Sequence, residues 1–514
     1  MNDDGTGANA AWWYLDRHLA SGNGDELCLL DDDGALTYRQ LHERACRMAR
    51  VLHEAGVRPG DRVVTVLHDS SDAVACLLAA VRIAAVPVPV SPVLTSAEQR
   101  YILEDCGARA LVVEKGEHEP AREAAAGGVT VWSRGPEAGR VRCLADELSD
   151  AAPLHEVAPC EDDHPALIQY TSGSTGRPKG VVHLHRGLLA LPEGVGAHLG
   201  LTSRDRVLST AKLPFGYGFG NSLLLPFSVG ACAVLFSGRA EPLAVAALLR
   251  RTRPTVLFAV PTLYAALLSV PDAEDRIDFS SVRLAVSAGE HLGPQLSTRL
   301  AETFGLTVVN GLGSTECLHI FIATVPGVSP PGATGVPVPG FEAEVCDDAG
   351  RTLEAGGIGR LRVRGPSVAD RYWDQPGLTA GTFRDGWVYT GDTMTYDPAV
   401  GWTYLGRTDN IVNVGGTKVL LSEVEEEILA VPGVGSCAVV GVSDEDDVTR
   451  IVAHVVPAPG ADQQLEERVQ AALRRRLPPF KRPRTLHLVD ALPLTSTGKT
   501  ARFLLRGQEK ERES

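Results

Sequence analysis

The chain has 514 residues, of which 44% are hydrophobic and 22% are charged, so it is too long for one hydrophobic core and predicts a globular protein of two or more domains. Its 64 acidic residues outnumber its 49 basic ones, and the resulting net charge of -15 disfavours binding to nucleic acids or anionic membranes. An anionic ligand must therefore be held by a local cluster of basic groups.

The first residues are acidic and lack the basic region and apolar core of a signal peptide, so a cytoplasmic protein is expected. The apolar stretch 73–90 is interrupted by Arg82, Pro87 and Pro89, and it predicts a buried helix followed by a strand instead of a membrane span. The ten cysteines are scattered without a C-x-x-C pair. They predict reduced core residues, with neither a zinc site nor a disulfide framework.

Helical and strand patterns alternate from about residue 36 to residue 304. They predict a helix over 38–55 and strands at 62–66, 110–113 and 166–170. This alternation indicates layered α/β structure with largely parallel sheets. Between 335 and 404 short strands broken by glycine and proline replace it, which predicts a small β-barrel or antiparallel sheet.

A second mixed α/β unit follows Asp409, and about a hundred residues suffice for a separate domain. Its predicted elements are a strand at 411–414, a helix at 422–430, strands at 436–442 and 450–456, and a helix at 465–477. We therefore predict an N-terminal domain over 1–408 and a small, mobile C-terminal α+β domain over 409–514.

The most informative segment is 170–180, Tyr-Thr-Ser-Gly-Ser-Thr-Gly-Arg-Pro-Lys-Gly, directly after a predicted strand. Its hydroxyls, glycines and Lys179 form a turn whose N–H groups can converge on a phosphate. It is not a Walker A loop, because Lys179 lies between Pro178 and Gly180 instead of between glycine and Ser/Thr. A Ser/Gly-rich surface linker is the competing interpretation, which the preceding strand and the single lysine disfavour.

Five further motifs follow in order. They are 287–290 (Ser-Ala-Gly-Glu), 310–316 (Asn-Gly-Leu-Gly-Ser-Thr-Glu), 389–392 (Tyr-Thr-Gly-Asp), 404–409 (Tyr-Leu-Gly-Arg-Thr-Asp) and 493–499 (Pro-Leu-Thr-Ser-Thr-Gly-Lys). With the loop at 170–180, this series resembles the motifs of the adenylate-forming enzymes, which include acyl-CoA synthetases, luciferases and nonribosomal adenylation domains. The resemblance covers essentially the whole chain.

The resemblance implies ATP and Mg2+ as cofactors and attack of a carboxylate on the ATP α-phosphate. Cations and N–H dipoles then have to offset the repulsion between two anions. The residues that the resemblance assigns to ATP are Thr171, Ser172, Gly173, Ser174, Thr175, Gly176, Lys179, Ser287, Gly289, Glu290, Asn310, Gly311, Leu312, Gly313, Asp392 and Arg407.

Catalytic roles are implied for Thr315, Glu316 and Lys499. Thr315 contacts the α-phosphate and Glu316 holds Mg2+, for which a carboxylate is a suitable ligand. Lys499 moves in with the small domain to stabilise the developing pentavalent phosphate, and Asp409 is the hinge of that movement. Leu312 departs from the many members that stack an aromatic side chain on adenine.

The segments 212–222, 260–264 and 313–321 resemble the benzoate-CoA ligase branch. The implied aryl-acid site contains Gly216, Tyr217, Gly313, His319 and Ile320. A tyrosine face and an isoleucine suit a flat ring, and His319 offers a hydrogen bond, although purely structural core roles are the alternative. Gly216 stands where this branch often has alanine, which leads us to expect extra room for a ring substituent.

Seven basic residues without an intervening acid lie between Arg468 and Arg484 in this acidic chain. Within this cluster, Phe480 and Arg482 resemble the residues that hold the CoA nucleotide in chlorobenzoate-type ligases. A solvated helix face and a docking surface for an acidic carrier protein bearing phosphopantetheine are the alternatives.

These motifs predict an ATP-dependent aryl-acid-CoA ligase that activates benzoate or a hydroxy-, amino- or halobenzoate through an aryl-adenylate. A freestanding adenylation enzyme that loads a carrier protein is the second interpretation. A nucleotide sensor without catalysis is disfavoured because Thr175, Glu316, Asp392 and Lys499 are all present. No nucleic-acid or membrane partner is expected, and a homodimer is left open.

Overall fold

The computed structural model describes residues 7–116, 118–135, 140–172, 177–330, 333–414, 417–443, 449–458, 460–493 and 500–511. The chain divides into two compact units, Met1–Ala343 with Arg362–Thr390, and Glu344–Leu361 with Gly391–Ser514. Residues 344–361 and 391–408, which the sequence assigned to the N-terminal domain, thus group with the second unit.

The strands of the described residues are given in chain order. They are β1 Leu27–Leu30, β2 Ala35–Thr37, β3 Arg62–Val66, β4 Val86–Val90, β5 Ala110–Val113, β6 Thr130–Ser133, β7 Arg142–Cys143, β8 Pro165–Ser172, β9 Pro178–Leu184, β10 Arg206–Ser209, β11 Cys232–Val234, β12 Val256–Ala259, β13 Leu284–Ser287, β14 Val308–Gly313, β15 Ile320–Ala323, β16 Val336–Pro337, β17 Glu342–Cys346, β18 Ile358–Arg364, β19 Arg371–Tyr372, β20 Phe383–Arg384, β21 Trp387–Asp397, β22 Gly401–Arg407, β23 Ile411–Val414, β24 Thr417–Leu420, β25 Val434–Ser443, β26 Thr449–Pro457 and β27 Thr485–Leu488.

The α-helices of the same residues are α1 Arg17–Ala20, α2 Tyr38–Glu54, α3 Ser71–Arg82, α4 Ser96–Asp105, α5 Glu119–Ala126, α6 Leu144–Asp150, α7 His185–Ala190, α8 Ala197–Leu199, α9 Gly216–Phe219, α10 Leu225–Val229, α11 Pro242–Thr252, α12 Pro261–Leu268, α13 Ala273–Arg276, α14 Pro294–Phe304, α15 Pro376–Thr382, α16 Leu421–Leu429, α17 Leu465–Arg476 and α18 Arg502–Glu511. Short π-helical turns span Trp12–Asp16, Pro192–Gly196 and Gly220–Leu224, and 3-10 turns span Thr315–Cys317, Thr408–Asn410 and Pro479–Lys481.

Two largely parallel sheets form the framework of the first unit. One has nine strands in the order β16-β15-β14-β13-β12-β10-β11-β1-β2, and the other has five in the order β4-β3-β5-β6-β7. Strands β4 and β5 are buried along their whole length, as expected for parallel strands covered on both faces. The predicted α/β fold class and the parallel sheets are confirmed.

Helix α2 illustrates how the local sequence sets an element of this unit. Thr37 caps its first turn, because its hydroxyl accepts a hydrogen bond from the Gln40 backbone N–H while the Gln40 side chain accepts one from the Thr37 N–H. The apolar face of α2 is buried and packs on α3. The helix ends at Glu54, one residue before the predicted end.

A small antiparallel sheet, in the order β19-β9-β8, carries the predicted phosphate loop between β8 and β9. In its register Thr171 lies opposite Lys179, and Tyr372 of β19 lies opposite Val181. The pairing therefore brings a segment almost two hundred residues downstream to the strand that bears Lys179.

The second unit has its own sheet and core. Strand β25 pairs antiparallel with β26, which pairs parallel with β27, while β23 and β24 form a hairpin. Helices α16 and α17 contribute apolar residues to a buried cluster with β25 and β26, including Val424, Val439, Ile451 and Val469. The predicted mixed α/β character is confirmed, with helix and strand bounds shifted by one or two residues.

No helix in the described ranges is both long enough and apolar enough to span a lipid bilayer.

Candidate active site

Lys179, Glu316 and Tyr372 form a compact cluster in the first unit. The Lys179 ammonium lies 3.0 Å from Glu316 Oε1 and donates to the Tyr372 hydroxyl at 2.8 Å. That hydroxyl donates in turn to Glu316 Oε1 at 2.7 Å, and the ammonium also lies 4.2 Å from the centre of the tyrosine ring. The predicted phosphate-binding lysine and the predicted metal-binding carboxylate thus pair directly, and both also bond to a tyrosine that the sequence did not indicate.

Backbone hydrogen bonds hold the Glu316 turn against the segment that leads into β19. The Ala369 N–H donates to the Glu316 carbonyl at 2.8 Å, and the Ser367 hydroxyl donates to the Cys317 carbonyl at 3.0 Å. Trp373 N–H donates to the Gly180 carbonyl at 2.7 Å. These bonds fix the cluster from three separate parts of the chain.

Glu316 is ionised in this cluster. Burial alone would raise its pKa, but the adjacent Lys179 charge and the hydrogen bonds from Tyr372 and Lys179 outweigh burial and lower the pKa below its ordinary value. Burial, together with the Glu316 charge, raises the pKa of Tyr372, so its hydroxyl keeps its proton and remains a donor. The cluster therefore presents a carboxylate, an ammonium and a neutral phenol at neutral pH.

Tyr372 gives the first testable prediction. A Tyr372→Phe variant loses hydrogen bonds to two charged groups, each contributing about 1.5–3 kcal/mol, so the free energy of unfolding is expected to fall by about 3 kcal/mol or more. The KM for MgATP is expected to rise about tenfold because Glu316 and Lys179 lose their common positioning partner.

Urea denaturation and steady-state kinetics measure the two effects. Tyr396→Phe is the matched control, because Tyr396 is 38% exposed in the second unit. Unchanged stability and KM in Tyr372→Phe would contradict the positioning role.

The turn from Gly313 to His319 links the charged cluster to an aromatic one. The 3-10 turn Thr315–Cys317 ends at Leu318, which has a φ of +71°. Such a conformation is costly for a branched side chain and is found mostly at functional sites. Gly313 is required here, because a Cβ atom on it would lie 2.6 Å from the His319 carbonyl oxygen.

His319 and Tyr217, both of which the sequence assigned to the aryl site, lie side by side. Their ring centres are 5.4 Å apart, and Phe258 completes an aromatic group at 5.9 Å from Tyr217. His319 Nε2 lies 2.9 Å from Asn221 Oδ1, while His319 Nδ1 is buried without a hydrogen-bond partner among the described residues. Neither Asn221 nor Phe258 was predicted, although Asn221 lies within the segment that suggested the aryl site.

Gly216 differs from the sequence-based expectation, whereas the predicted role of Ile320 stays a prediction. Ile320 is buried and packs on Gly311, where a Cβ atom would lie 2.5 Å from Ile320 Cδ1. A Cβ atom on Gly216 would lie 2.9 Å from the Leu318 carbonyl oxygen and 3.3 Å from Gln169 Oε1. The missing methyl group thus relieves a close backbone approach, and the expectation that it opens room for a ring substituent is not supported.

The buried His319 gives a prediction about pH. Burial lowers its pKa to about 3, whereas an unfolded histidine titrates near pH 6.5. Between these values the unfolded chain binds a proton that the native state does not, so stability falls as pH falls, by about 2 kcal/mol at pH 5. In His319→Gln the unfolding free energy should depend less steeply on pH between 6.5 and 5.

Denaturation curves at several pH values measure this slope. His53→Gln is the control, because His53 is an exposed residue of α2 and its loss should leave the slope unchanged. Equal slopes in the wild type and in His319→Gln would contradict the buried neutral state of His319.

The predicted adenine-side residues lie at the carboxyl ends of β13 and β14. Ser287 is fully buried, and Asn310, Gly311, Leu312 and Gly313 belong to β14. Gly289 has a φ of +87°, while the Glu290 carboxylate accepts hydrogen bonds from the Thr262 N–H and hydroxyl at 3.1 and 2.6 Å. Glu290 therefore caps α12 through one carboxylate oxygen, and its predicted contact with the nucleotide stays a prediction.

Several buried polar atoms in this region lack hydrogen-bond partners among the described residues. They include both side-chain polar atoms of Gln169, Ser287 Oγ and Ser314 Oγ. Such atoms are costly unless a ligand or water completes their bonding. Together with the ionised Glu316 and with Lys179, this donor set fits a magnesium nucleotide and a carboxylic acid.

Asp392 and Arg407 lie in the second unit. They face each other across the pairing of β21 and β22, with Arg407 Nη1 3.1 Å from Asp392 Oδ1. Asp392 is nearly buried, whereas half of the Arg407 side chain is exposed. Both partners belong to the second unit, in which the Arg407 guanidinium holds the Asp392 carboxylate.

The other predicted residues of the second unit have the following positions. Asp409 lies in the 3-10 turn Thr408–Asn410, and its side chain lies outside the described residues. Phe480 is 40% exposed, while Arg482 donates to the carbonyls of Leu477 at 2.8 Å and Arg474 at 2.9 Å, so it caps the end of α17. Lys499 lies outside the described residues, as do Gly173, Ser174, Thr175, Gly176 and the side chain of Ser172.

The layered α/β fold, the phosphate-loop lysine, the paired carboxylate and the adjacent aromatic group define an enzyme that activates a carboxylic acid with a nucleotide. Family comparison agrees, because the AMP-binding enzyme family matches residues 16–373 and the AMP-binding enzyme C-terminal domain matches residues 423–499. The chain belongs to the family of AMP-binding enzymes, as the motifs predicted.

Relatives place the chain in the benzoate-CoA ligase-like branch. The benzoate-CoA ligase of Thauera aromatica is 37% identical over 505 residues, covering 97% of this chain and 95% of that protein. The 4-hydroxybenzoate-CoA/benzoate-CoA ligase of Rhodopseudomonas palustris is 37% identical over 513 residues, covering 97% and 94%. The crystal structure of the anthranilate CoA ligase AuaEII in complex with anthranoyl-AMP superimposes with a TM-score of 0.90 at 33% identity, covering 97% and 96%.

Proposed function

We propose that this protein is an ATP-dependent aryl-acid-CoA ligase acting on benzoate or a hydroxy-, amino- or halobenzoate. The observation that carries the proposal is the turn at 313–319, which joins the Lys179–Glu316–Tyr372 cluster to the Tyr217–His319 aromatic pair. One short segment thereby connects a phosphate-binding group to a flat aromatic group. The relatives named above, which activate benzoate, hydroxybenzoate and anthranilate, support the same substrate class.

The charged cluster has to change partners when the nucleotide binds. The Lys179 ammonium is paired with Glu316 at 3.0 Å. In the proposed reaction Lys179 turns to the triphosphate, where a fixed cation offsets the approach of the substrate carboxylate. Tyr372 keeps its hydrogen bond to Glu316 and so holds the carboxylate in place after the lysine has moved.

Glu316 is the residue that would hold Mg2+ against the phosphates. It is ionised, and its side chain is 16% exposed, so an oxygen atom is accessible to a hard cation. A bound Mg2+ would supply positive charge where negative charge develops on the phosphates. Thr315, next to it in the 3-10 turn, is proposed to contact the α-phosphate.

The aryl acid is proposed to lie on the Tyr217 face, with its carboxylate toward the phosphate-binding group. The two aromatic side chains suit a flat ring, and the unpaired His319 Nδ1 provides a polar contact inside an otherwise apolar wall. Because burial keeps His319 neutral, this contact adds no positive charge to the ring site. Ile320 and Gly313 are proposed to complete the wall.

The second unit is proposed to supply the remaining groups. Asp392 accepts hydrogen bonds from the ribose hydroxyls, with Arg407 as its partner, and Lys499 stabilises the charge on the α-phosphate during adenylation. Asp409 marks the boundary between domains over 1–408 and 409–514 and serves as their hinge. These assignments come from the motifs at 389–392, 404–409 and 493–499.

Coenzyme A is proposed as the acceptor of the acyl group. The basic cluster at 468–484 is exposed at Arg474 and Arg475, and Phe480 offers an exposed aromatic surface to the nucleotide of CoA. The Arg482 guanidinium caps the end of α17, so its main contribution to this surface would be to hold the segment that carries Phe480 against that helix. A carrier protein as acceptor and a homodimeric assembly are the less favoured alternatives.

A substrate panel tests the aryl preference. Pyrophosphate release is measured with benzoate, its amino, hydroxy and chloro derivatives, cyclohexanecarboxylate and octanoate, each with ATP and Mg2+. We expect kcat/KM for the preferred benzoate to exceed that for octanoate by at least about a hundredfold, a difference of about 2.7 kcal/mol. Faster turnover of octanoate than of every aryl acid would contradict the proposal.

A further inference from the structure

We propose that His42, Cys46 and His155 form a binding site for a thiophilic divalent cation of the Zn2+ class. These residues lie in the first unit and belong to neither the charged cluster nor the aryl site. Each contributes one ligand atom, and the three atoms all lie within 4.8 Å of one another. One sulfur and two imidazole nitrogens are the ligands that Zn2+ prefers, and they are poor ligands for Mg2+.

Helix α2 sets the spacing of the first two ligands. His42 and Cys46 are four residues apart and therefore lie on the same face, one turn from each other. Cys46 Sγ is 3.8 Å from His42 Nδ1. A tetrahedral zinc with bonds of about 2.3 Å to sulfur and 2.0–2.1 Å to nitrogen places these ligand atoms about 3.6 Å apart, which is close to the observed 3.8 Å. His42 Nε2 lies 3.6 Å from the same sulfur.

The segment that carries His155 is fixed against the same helix. Leu154 N–H donates to the Cys46 carbonyl at 2.9 Å, and Arg82 Nε donates to the Leu154 carbonyl at 3.0 Å. The His155 ring is stacked on the His42 ring, with centres 5.8 Å apart and planes 14° from parallel. The backbone next to the third ligand is thus held by bonds that exist without an ion.

A partly buried carboxylate orients the first histidine. Asp16 Oδ1 lies 3.1 Å from His42 Nε2, and Arg82 holds the same carboxylate through two hydrogen bonds of 2.8 Å. With Nε2–H donated to Asp16, Nδ1 is the ring nitrogen of His42 that is left to bind a cation. Metal-bound histidines usually donate their second ring nitrogen to a carboxylate in this way.

The charges and the access to the site also fit a single divalent ion. Arg82 is already neutralised by Asp16. Cation binding displaces the Cys46 thiol proton to solvent and forms the metal–sulfur bond, while both imidazoles bind as neutral ligands. His155 is exposed, so an ion can enter from its side and keep a water molecule as fourth ligand. Such an ion would tie α2 to the segment that precedes β8.

Cobalt substitution of the whole protein tests the site. One equivalent of Co2+ added to the purified wild type should give a sulfur-to-cobalt charge-transfer band and intense tetrahedral d–d bands, and Zn2+ should abolish both. Cys46→Ala should eliminate the charge-transfer band. His155→Ala should weaken Zn2+ binding at least about tenfold in competition with a chromophoric chelator, without destabilising the protein, because His155 is exposed.

Cys143→Ser is the matched control, because Cys143 is a partly exposed thiol of the same unit and the more accessible target for adventitious metal. Zn2+ should raise the melting temperature of the wild type and of Cys143→Ser equally, but not that of His155→Ala. The proposal is overturned if the wild type gives no charge-transfer band, or if the band is lost in Cys143→Ser and kept in Cys46→Ala.

Discussion

A Glu316→Gln variant is expected to release pyrophosphate ~10²–10³-fold more slowly than the wild type at saturating ATP and aryl acid. This carboxylate is bound by both Lys179 and Tyr372, and it is the proposed Mg2+ ligand. A neutral amide removes the charge that holds the cation while keeping the size of the side chain. Loss of one charge-stabilising group in an active site has effects of this size.

The Glu316→Gln effect should depend on Mg2+. Raising the Mg2+ concentration should recover part of the lost rate, because the weakened site is then more fully occupied. Glu302→Gln is the matched control, because Glu302 is exposed on α14 and its replacement should leave the rate unchanged. A Glu316→Gln rate within threefold of wild type at limiting Mg2+ would remove Glu316 from the proposed mechanism.

A Lys499→Ala variant is expected to lose rate by a similar factor, but only in the first half-reaction, the formation of the aryl-adenylate. The proposed role of Lys499 is to place a mobile cation on the α-phosphate while the carboxylate attacks, so aryl-adenylate formation should slow by ~10²–10³-fold. Transfer of the acyl group from a supplied aryl-adenylate to CoA needs no such charge. That second rate should therefore stay close to the wild-type rate.

The two half-reactions can be measured separately. Pyrophosphate release reports adenylation, and formation of the thioester from synthetic benzoyl-adenylate and CoA reports transfer. Lys115→Ala is the control, because Lys115 is an exposed lysine of the first unit. Equal pyrophosphate release by the wild type and Lys499→Ala would contradict the catalytic assignment, and equal loss in both half-reactions would indicate a general defect.

The sequence predicted secondary structure well where hydrophobic periodicity is strong. The strands at 62–66, 110–113 and 411–414 have the predicted bounds, and the helix expected over 38–55 spans Tyr38–Glu54. Strands β3 and β5 are short runs of buried apolar residues, and α2 buries one apolar face, so the pattern of apolar residues indicates the type of each element. The strand expected at 166–170 is longer, because β8 continues to Ser172 through its pairing with β9.

Contacts between distant segments were not predictable in the same way. Tyr372 reaches Lys179 only because β19 pairs with β9, and no periodicity relates residues 193 positions apart. The close approach of the Leu318 carbonyl to Gly216 depends on a positive φ in the intervening turn. Sequence motifs identified the residue types at the site, whereas the partners that position them emerged from the folded chain.

Two charged residues that the motifs assigned to ligands also have contacts that the sequence did not predict. Glu290 and Arg482 carry side chains suited to ligand contact, but the structure uses the first to cap α12 and the second to cap α17. Both capping roles require knowing which helix end lies nearby. A charged side chain in a motif can therefore cap a helix as well as contact a ligand, and the sequence does not show which helix end lies near it.

The most direct test of the proposed function is mass spectrometry of the complete reaction. The purified protein is incubated with benzoate, ATP, Mg2+ and CoA, and with CoA replaced by a phosphopantetheine-bearing carrier protein. We predict AMP and benzoyl-CoA in equal amounts, with thioester formation on CoA exceeding that on the carrier. Acylated carrier without benzoyl-CoA, or ATP consumption without any aryl thioester, would contradict the account.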